Sequence, residues 1–169
     1  RPEQPGAPAL GAGGDDAAGK RFLEITAKPA PSGNDDITSI KATGGAAFKR
    51  REDGTWRVDD PKNERNPAND TIEFTLESRR GGSLLRLDFL PDPALPNGCA
   101  GRASNGNFAV SEITITRDGK PFQPTKAWAN ASEGNMPASM VIDGISDQPN
   151  SVWNAAAHTR QPRCLLLAL

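Results

Sequence analysis

The stretch that most constrains the fold is residues 84–116, LLRLDFLPDPALPNGCAGRASNGNFAVSEITIT. It contains two apolar runs typical of β-strands, at 84–90 and 108–116. A long loop rich in Pro, Gly and Asn joins them. Loops of this length inside a domain are often functional, so the stretch predicts both a strand pair and a candidate site.

The second apolar run contains a change of phase. Phe108 and Val110 are two residues apart, and so are Ile113 and Ile115, but the two pairs do not share one alternation. Because side chains along a strand alternate between faces, the phase must change between the pairs. We expect a β-bulge there, which would re-aim Glu112.

The rest of the chain also has the pattern of an all-β protein. The segment 71–77, TIEFTLE, alternates apolar and polar residues without error. Asp-Gly pairs at 53–54 and 118–119 are strong hairpin signals, and the first predicts that Phe48 and Trp56 face each other across strands. No window has a long helical stripe. Short strands between turn signals predict an antiparallel β-sandwich.

Composition and charge exclude several classes of protein. The 20 basic and 21 acidic residues are mixed along the chain, without the basic patch of a nucleic-acid binder. No apolar run approaches the about 18 residues that a membrane span needs. There is no C-x-x-C-H motif, so no haem is expected in this segment. Cys99 and Cys164 are open to two interpretations, a disulfide in an oxidising compartment or two separate thiols. The ends, Arg1 and an apolar run closing at Leu169, suggest a piece of a longer protein.

Residue types that perform catalysis are sparse. The single histidine, His158, lies in an Ala-rich polar stretch typical of a surface, whereas nucleophilic catalysis needs a positioned base. The carboxylate pairs at 35–36 and 59–60 make poor dyads in a strand, because adjacent side chains point to opposite faces. We therefore predict that the chain is not an enzyme.

Two phrases resemble a known family. The segment 85–113, preceded by DDITSIKATGGAAFKRREDGTWRV and NDTIEFTL, resembles a module of planctomycete-type cytochrome c multidomain proteins. The later pattern of Ala129, Ala131 and Ser132, then Ile142-Asp143-Gly144 and Trp153, resembles galactose-binding-like (discoidin-type) domains.

The resemblance implies a jelly-roll β-sandwich at 20–117, after a flexible linker at 1–19. Residues 118–169 would begin a second, truncated module of the same kind, or complete one larger sandwich. It also implies secretion or periplasmic export, neighbouring domains in the same chain, and a non-catalytic role in carbohydrate binding. The alternative is a structural spacer that positions cytochrome c or other domains and has no ligand.

A structural calcium ion is the one cofactor that the resemblance suggests. In discoidin-like domains calcium lies between an early loop and a late Glu, which here would be Asp35 or Asp36 with Glu112. For a second module, Asp143 is the early-loop candidate, and its partner Glu is expected beyond residue 169. The alternative is a solvated Glu112.

Ligand recognition would use aromatic and amide side chains. Sugar-binding sandwiches combine an aromatic platform with fixed hydrogen-bonding groups. The available aromatic platforms are Trp56 and Trp153, together with Trp128. The polar residues are Arg102, Asn105 and Asn107. Core packing for the tryptophans stays open. So does a structural role for the loop, in which Arg102 would contact Asp88 or Asp92.

Overall fold

The structure, a computed structural model, describes residues 36–44, 46–59, 70–77 and 82–169. The predicted linker at 1–19 and Asp35 lie outside these residues.

The described chain is all-β, which confirms the predicted class at this level. Its helices are three 3₁₀ segments of three to five residues, Pro96–Gly98, Ala138–Ile142 and Ala157–Thr159. The eleven strands form small sheets that do not close on one another. The strands are β1 (Asp36–Ala42), β2 (Ala47–Arg50), β3 (Trp56–Asp59), β4 (Ile72–Glu77), β5 (Leu84–Phe89), β6 (Ala109–Val110), β7 (Ile115–Arg117), β8 (Lys120–Phe122), β9 (Lys126–Ala129), β10 (Trp153–Asn154) and β11 (Arg163–Ala168).

Strand β11 is the middle of a three-stranded antiparallel sheet, in the order β5-β11-β9. Its sequence, RCLLLA, is apolar at successive positions, and every residue from Arg163 to Leu167 is buried. A continuous apolar run suits a strand that is covered on both faces. Residues 163–168 pair with β5 along their whole length, and 165–168 also pair with β9.

The core lies against one face of this sheet. Leu165 and Leu167 point into it, and Trp153 lies fully buried among them. Phe89 and Phe108 contact the Trp153 ring, with centroids 5.9 and 5.8 Å away and edge-on geometry. Edge-to-face aromatic packing adds to the stabilisation that area burial provides. The remaining buried members of the core are Ala127, Ala129, Ala138, Val141, Ala155 and Ala157.

The phase change in the run 108–116 is real, but the predicted bulge is wrong. Strand β6 ends at Val110 and pairs with β10, whereas β7 begins at Ile115 and pairs with β8. The residues between them leave the ladder, and the Ile113 N–H donates to the Val141 carbonyl at 2.7 Å. The alternation changes because the chain passes from one sheet to another, not because one strand holds an extra residue.

Both predicted Asp-Gly turns are confirmed, but one cross-strand pair is not. Gly54, at φ 83°, joins β2 to β3, and Asp118 and Gly119 join β7 to β8 with φ of 51° and 74°. Positive φ at both central residues, as at Asp118 and Gly119, is what a two-residue type I′ turn requires. In the first hairpin, however, Phe48 lies opposite Val58 and Trp56 lies opposite Arg50. The longer loop of this hairpin shifts the register away from the predicted pair.

One sheet draws strands from both sides of residue 117. Strand β5 comes from the predicted module at 20–117, and β9 and β11 come from 118–169. The core likewise combines Phe108 with Trp153. One larger sandwich, the alternative to two modules, would require such pairing. The division of the chain into modules stays a prediction.

Cys99 and Cys164 are separate buried thiols. Cys99 lies in the loop after β5, and its Sγ contacts the His158 carbonyl at 3.5 Å. Burial raises the pKa of Cys164 to about 12, with a further contribution from Asp88. A thiol with so little thiolate at neutral pH is a poor nucleophile, so Cys164 acts as a packing residue.

We expect Leu165→Ala to lower the free energy of unfolding by about 3 kcal/mol, because it leaves a cavity beneath the central strand. Leu84→Ala is the matched control in the neighbouring strand, since Leu84 is 40% exposed, and should cost less than about 1 kcal/mol. Urea denaturation of both variants measures the difference. Equal losses would contradict the placement of β11 at the centre of the core.

Candidate functional site

The long loop after β5 is held together by its own backbone and by a buried carboxylate. Asp92 accepts hydrogen bonds from the Arg51 guanidinium and from the Ala94 N–H, and its own N–H donates to the Cys99 carbonyl. Asp92 thus fixes the start of the loop and joins it to the β2–β3 hairpin through Arg51. A buried carboxylate needs this pairing because its desolvation is otherwise costly.

The tip of the same loop is closed by two glycines that admit no side chain. A Cβ on Gly101 would lie 2.0 Å from the Asn107 carbonyl oxygen, and one on Gly106 would lie 2.5 Å from the Cys99 Cβ. The Gly101 N–H donates to the Gly106 carbonyl at 3.0 Å. The backbone therefore approaches itself more closely than any other residue would permit. This is the structural role that the sequence left open for the loop.

The predicted polar ligand residues of the loop have different surroundings. Arg102 is half-buried within it. The Asn105 side chain accepts from the Asn107 N–H at 3.0 Å, a local turn contact. Asn107 reaches out of the loop: its Oδ1 accepts from the Ala157 N–H at 2.7 Å, and its Nδ2 donates to Asn154 Oδ1 at 2.7 Å. The Asn107 amide therefore fastens the loop to the segment after β10.

The tryptophans divide into one core residue and two half-buried residues. Trp153 is 0% exposed, and its Nε1 donates to the Ala131 carbonyl at 3.0 Å. The prediction of Trp153 as a sugar platform is corrected, because a fully buried ring has no face for a ligand. Trp56 is half-buried on β3, and Trp128 is half-buried on β9 beside Leu166.

Three polar residues that the ligand prediction did not include gather beside Asn107. Glu133 Oε2 lies 3.5 Å from Asn107 Nδ2 and 3.7 Å from His158 Nδ1. The Glu133 N–H also donates to the Asn154 carbonyl at 3.0 Å. We name the four residues Asn107, Glu133, Asn154 and His158 the loop-end cluster. No local motif announces it, because its members are separated by up to 51 residues and meet only through the tertiary fold.

A buried arginine supports the backbone on which His158 lies. Arg163 Nε donates to the Ala155 carbonyl at 2.7 Å, and its Nη2 donates to the Ala156 carbonyl at 2.6 Å and to the Thr159 hydroxyl. Ala156 has a left-handed conformation with φ 50°, which costs an alanine about 1 kcal/mol or more. Such strain persists only where the surroundings over-determine the backbone, and here Arg163 and the Asn107–Ala157 bond do so.

Two of the predicted calcium ligands lie close together, in a pairing that differs from the prediction. Glu112 Oε2 accepts from the Gly144 N–H at 3.0 Å. Asp143 accepts from the Ile145 N–H at 2.9 Å and from the Ser151 hydroxyl. Glu112 and Asp143 therefore hold the same turn, and the predicted calcium partner of Asp143 beyond residue 169 stays a prediction.

The arrangement of Glu112 and Asp143 does not fit a calcium ion. Calcium takes six to eight oxygen ligands, but three of the four carboxylate oxygens here already accept protein hydrogen bonds. In the part of the chain that the structure describes, no three His, Cys, Asp or Glu side chains are grouped so as to hold a metal ion. The prediction that pairs Glu112 with Asp35 or Asp36 stays untested, because the side chains of both Asp residues lie outside the description.

The acidic pair has a direct electrostatic consequence. Burial raises the pKa of Glu112, and the nearby Asp143 charge raises it further, while the hydrogen bond from Gly144 opposes the shift. The anionic form of Glu112 is therefore disfavoured in the folded state.

Comparison with known proteins identifies no relative. No protein-family model, no curated protein and no solved structure matches the chain. Across residues 36–44, 46–59, 70–77 and 82–169, no helix is long and apolar enough to cross a membrane.

We expect Asn107→Ala to destabilise the fold by about 2 kcal/mol, because it leaves the buried Ala157 N–H without its acceptor and frees the loop from Asn154. Asn135→Ala is the control, since Asn135 is exposed and lies two residues after Glu133. Thermal unfolding of both variants measures the effect. An unchanged melting temperature for Asn107→Ala would show that the loop is held by other contacts.

We expect Glu112→Gln to change how stability depends on pH. Because the folded pKa of Glu112 is raised above its ordinary 4.5, the folded wild type holds this proton more tightly than the unfolded chain, and it loses stability as pH rises above 4.5 through the folded pKa. The variant lacks this loss. The melting temperature of the variant relative to that of the wild type should therefore rise as pH increases from 4.5 through the folded pKa of Glu112. Parallel curves from pH 4 upward would refute the shift.

Proposed function

We propose that the chain is a non-catalytic accessory module of an exported multidomain protein, with a jelly-roll, galactose-binding-like fold, and that it binds carbohydrate. The observation that carries this is the loop-end cluster: Glu133 and His158 present polar side chains to solvent on a backbone that Asn107 and Arg163 fix from below. Prearranged hydrogen-bonding groups on a rigid β-scaffold suit recognition of a polar ligand.

The surroundings of several carboxylates support a non-catalytic role. Glycoside hydrolysis needs two carboxyl groups that face each other across a cleft. Asp92 is buried against Arg51, Asp88 pairs with Arg86 on its own strand at 3.0 Å, and Asp143 accepts hydrogen bonds from its own turn. Each of these groups is engaged in holding structure.

A structural spacer between neighbouring domains is the second candidate, and particular contacts favour it. Trp153 is a core residue, and the Asn107 amide is used on both its oxygen and its nitrogen. Under this proposal the neighbouring domains include the haem-c region of the same chain, as the sequence resemblance suggests, and the module contributes rigidity rather than a ligand site.

A glycan array with the whole chain separates the two candidates. We expect saturable binding to neutral glycans, and the heat-unfolded chain as control should not bind. The array is run with calcium and with a chelator, because loss of binding in the chelator would show that binding needs a divalent cation, as the calcium prediction requires. No binding under either condition would reject carbohydrate recognition and leave the spacer.

A further inference from the structure

Glu133 and His158 form a half-exposed pair at the surface. The two side chains are 49% and 42% exposed, and Glu133 Oε2 lies 3.7 Å from His158 Nδ1. Glu133 Oε2 also faces Asn107 Nδ2 at 3.5 Å. Within the described residues, Glu133 Oε1 and His158 Nε2 have no hydrogen-bond partner. The pair therefore brings a carboxylate and an imidazole close together at the surface.

The backbone that carries this pair is unusually constrained for a surface loop. The Glu133 N–H is bonded to the Asn154 carbonyl, and the Ala157 N–H is bonded to Asn107 Oδ1. Ala156 and Arg160, which flank His158, both have left-handed backbone conformations, with φ of 50° and 58°. Non-glycine residues held in this region concentrate at functional sites, where the surroundings maintain them.

We propose that Glu133 and His158 contact two neighbouring hydroxyl groups of a neutral sugar. This inference rests on the proposed carbohydrate-binding function and places it at one site. The carboxylate accepts from one hydroxyl, and the imidazole donates to or accepts from the next. Asn107 and Asn154 position the pair and do not themselves contact the sugar, because Asn107 is already bonded on both atoms of its amide.

Charge and shape define the class of ligand. The Glu133 carboxylate repels the negative charges of uronic acids and sulfated sugars. We therefore expect the site to prefer neutral sugars. The Phe108 ring, next to Asn107 in sequence, packs against Phe89 and Trp153. Because the contacting pair is polar, we expect a weak affinity for a single sugar, with recognition strengthened by repeated units.

The outer face of the β5-β11-β9 sheet is the competing location. Trp128 is half-buried there, next to Leu166, and the Lys126 ammonium lies 5.9 Å from the centroid of its ring. An aromatic ring on a sheet also suits a sugar. A Trp128 variant therefore belongs in the same experiment.

The test is an NMR titration of the full chain with galactose, glucose and glucuronate as probes. We expect saturable shifts for a neutral sugar that are largest at residues 130–134 and 154–160, and weaker or absent shifts with glucuronate. Glu133→Ala and His158→Ala should each weaken binding at least about tenfold while leaving the melting temperature unchanged, since both side chains are exposed. Glu52→Ala, an exposed acidic residue on the β2–β3 hairpin, is the matched control and should bind as the wild type does.

The outcomes separate the site from the function. If neutral sugars bind the wild type and both cluster variants equally, the proposed site is wrong and the proposed function stands. Loss of sugar binding in Trp128→Ala would then place the binding site on the outer face of the β5-β11-β9 sheet. If glucuronate binds as well as galactose, the predicted ligand class is wrong. If no probe binds and the glycan array is also blank, the proposed function fails together with the site.

Discussion

The interaction on which the described structure depends is the pairing of β11 with strands on both sides. Residues 165–168 are hydrogen-bonded to β5 and to β9. Just beyond the end of β9, the Asn130 side chain accepts from the Cys164 N–H, and the Asn130 backbone N–H donates to the Cys164 carbonyl. A buried strand needs all of its backbone groups satisfied, because water cannot replace them. The sheet in turn provides the surface on which Trp153 and the alanine-rich core pack.

The polar contacts at the loop end follow from this central strand. Arg163 begins β11, and its buried guanidinium reaches back to the carbonyls of residues 155 and 156. The next residue, Ala157, carries the N–H group that donates to Asn107 Oδ1, and Asn107 closes the long loop after β5. One continuous set of contacts thus joins the core strand, the loop and the exposed Glu133–His158 pair, so the candidate site has a rigid base although its outermost side chains are in water.

Short-range patterns predicted local elements well and long-range partners poorly. The alternation in 71–77 predicted β4, and the Asp-Gly pairs predicted two hairpins, because both signals depend on neighbours in sequence. The phase change after Val110 was located correctly, but a bulge and a change of sheet produce the same alternation. Glu112 was singled out from that change, yet its contact with the Gly144 N–H depends on a segment 32 residues away. The apolar run at 164–169 has no local feature that marks it as the central strand β11.

The sequence by itself determined the β class, the two tight turns and the glycine- and asparagine-rich loop, since side-chain alternation and backbone freedom at Gly and Asn act over a few residues. Only the tertiary structure decided which tryptophan is core, which acidic groups meet, and that His158, Glu133 and Asn107 share one place. These outcomes depend on where β11 lies between β5 and β9, and a pairing between strands distant in sequence is not encoded in any local pattern of either strand.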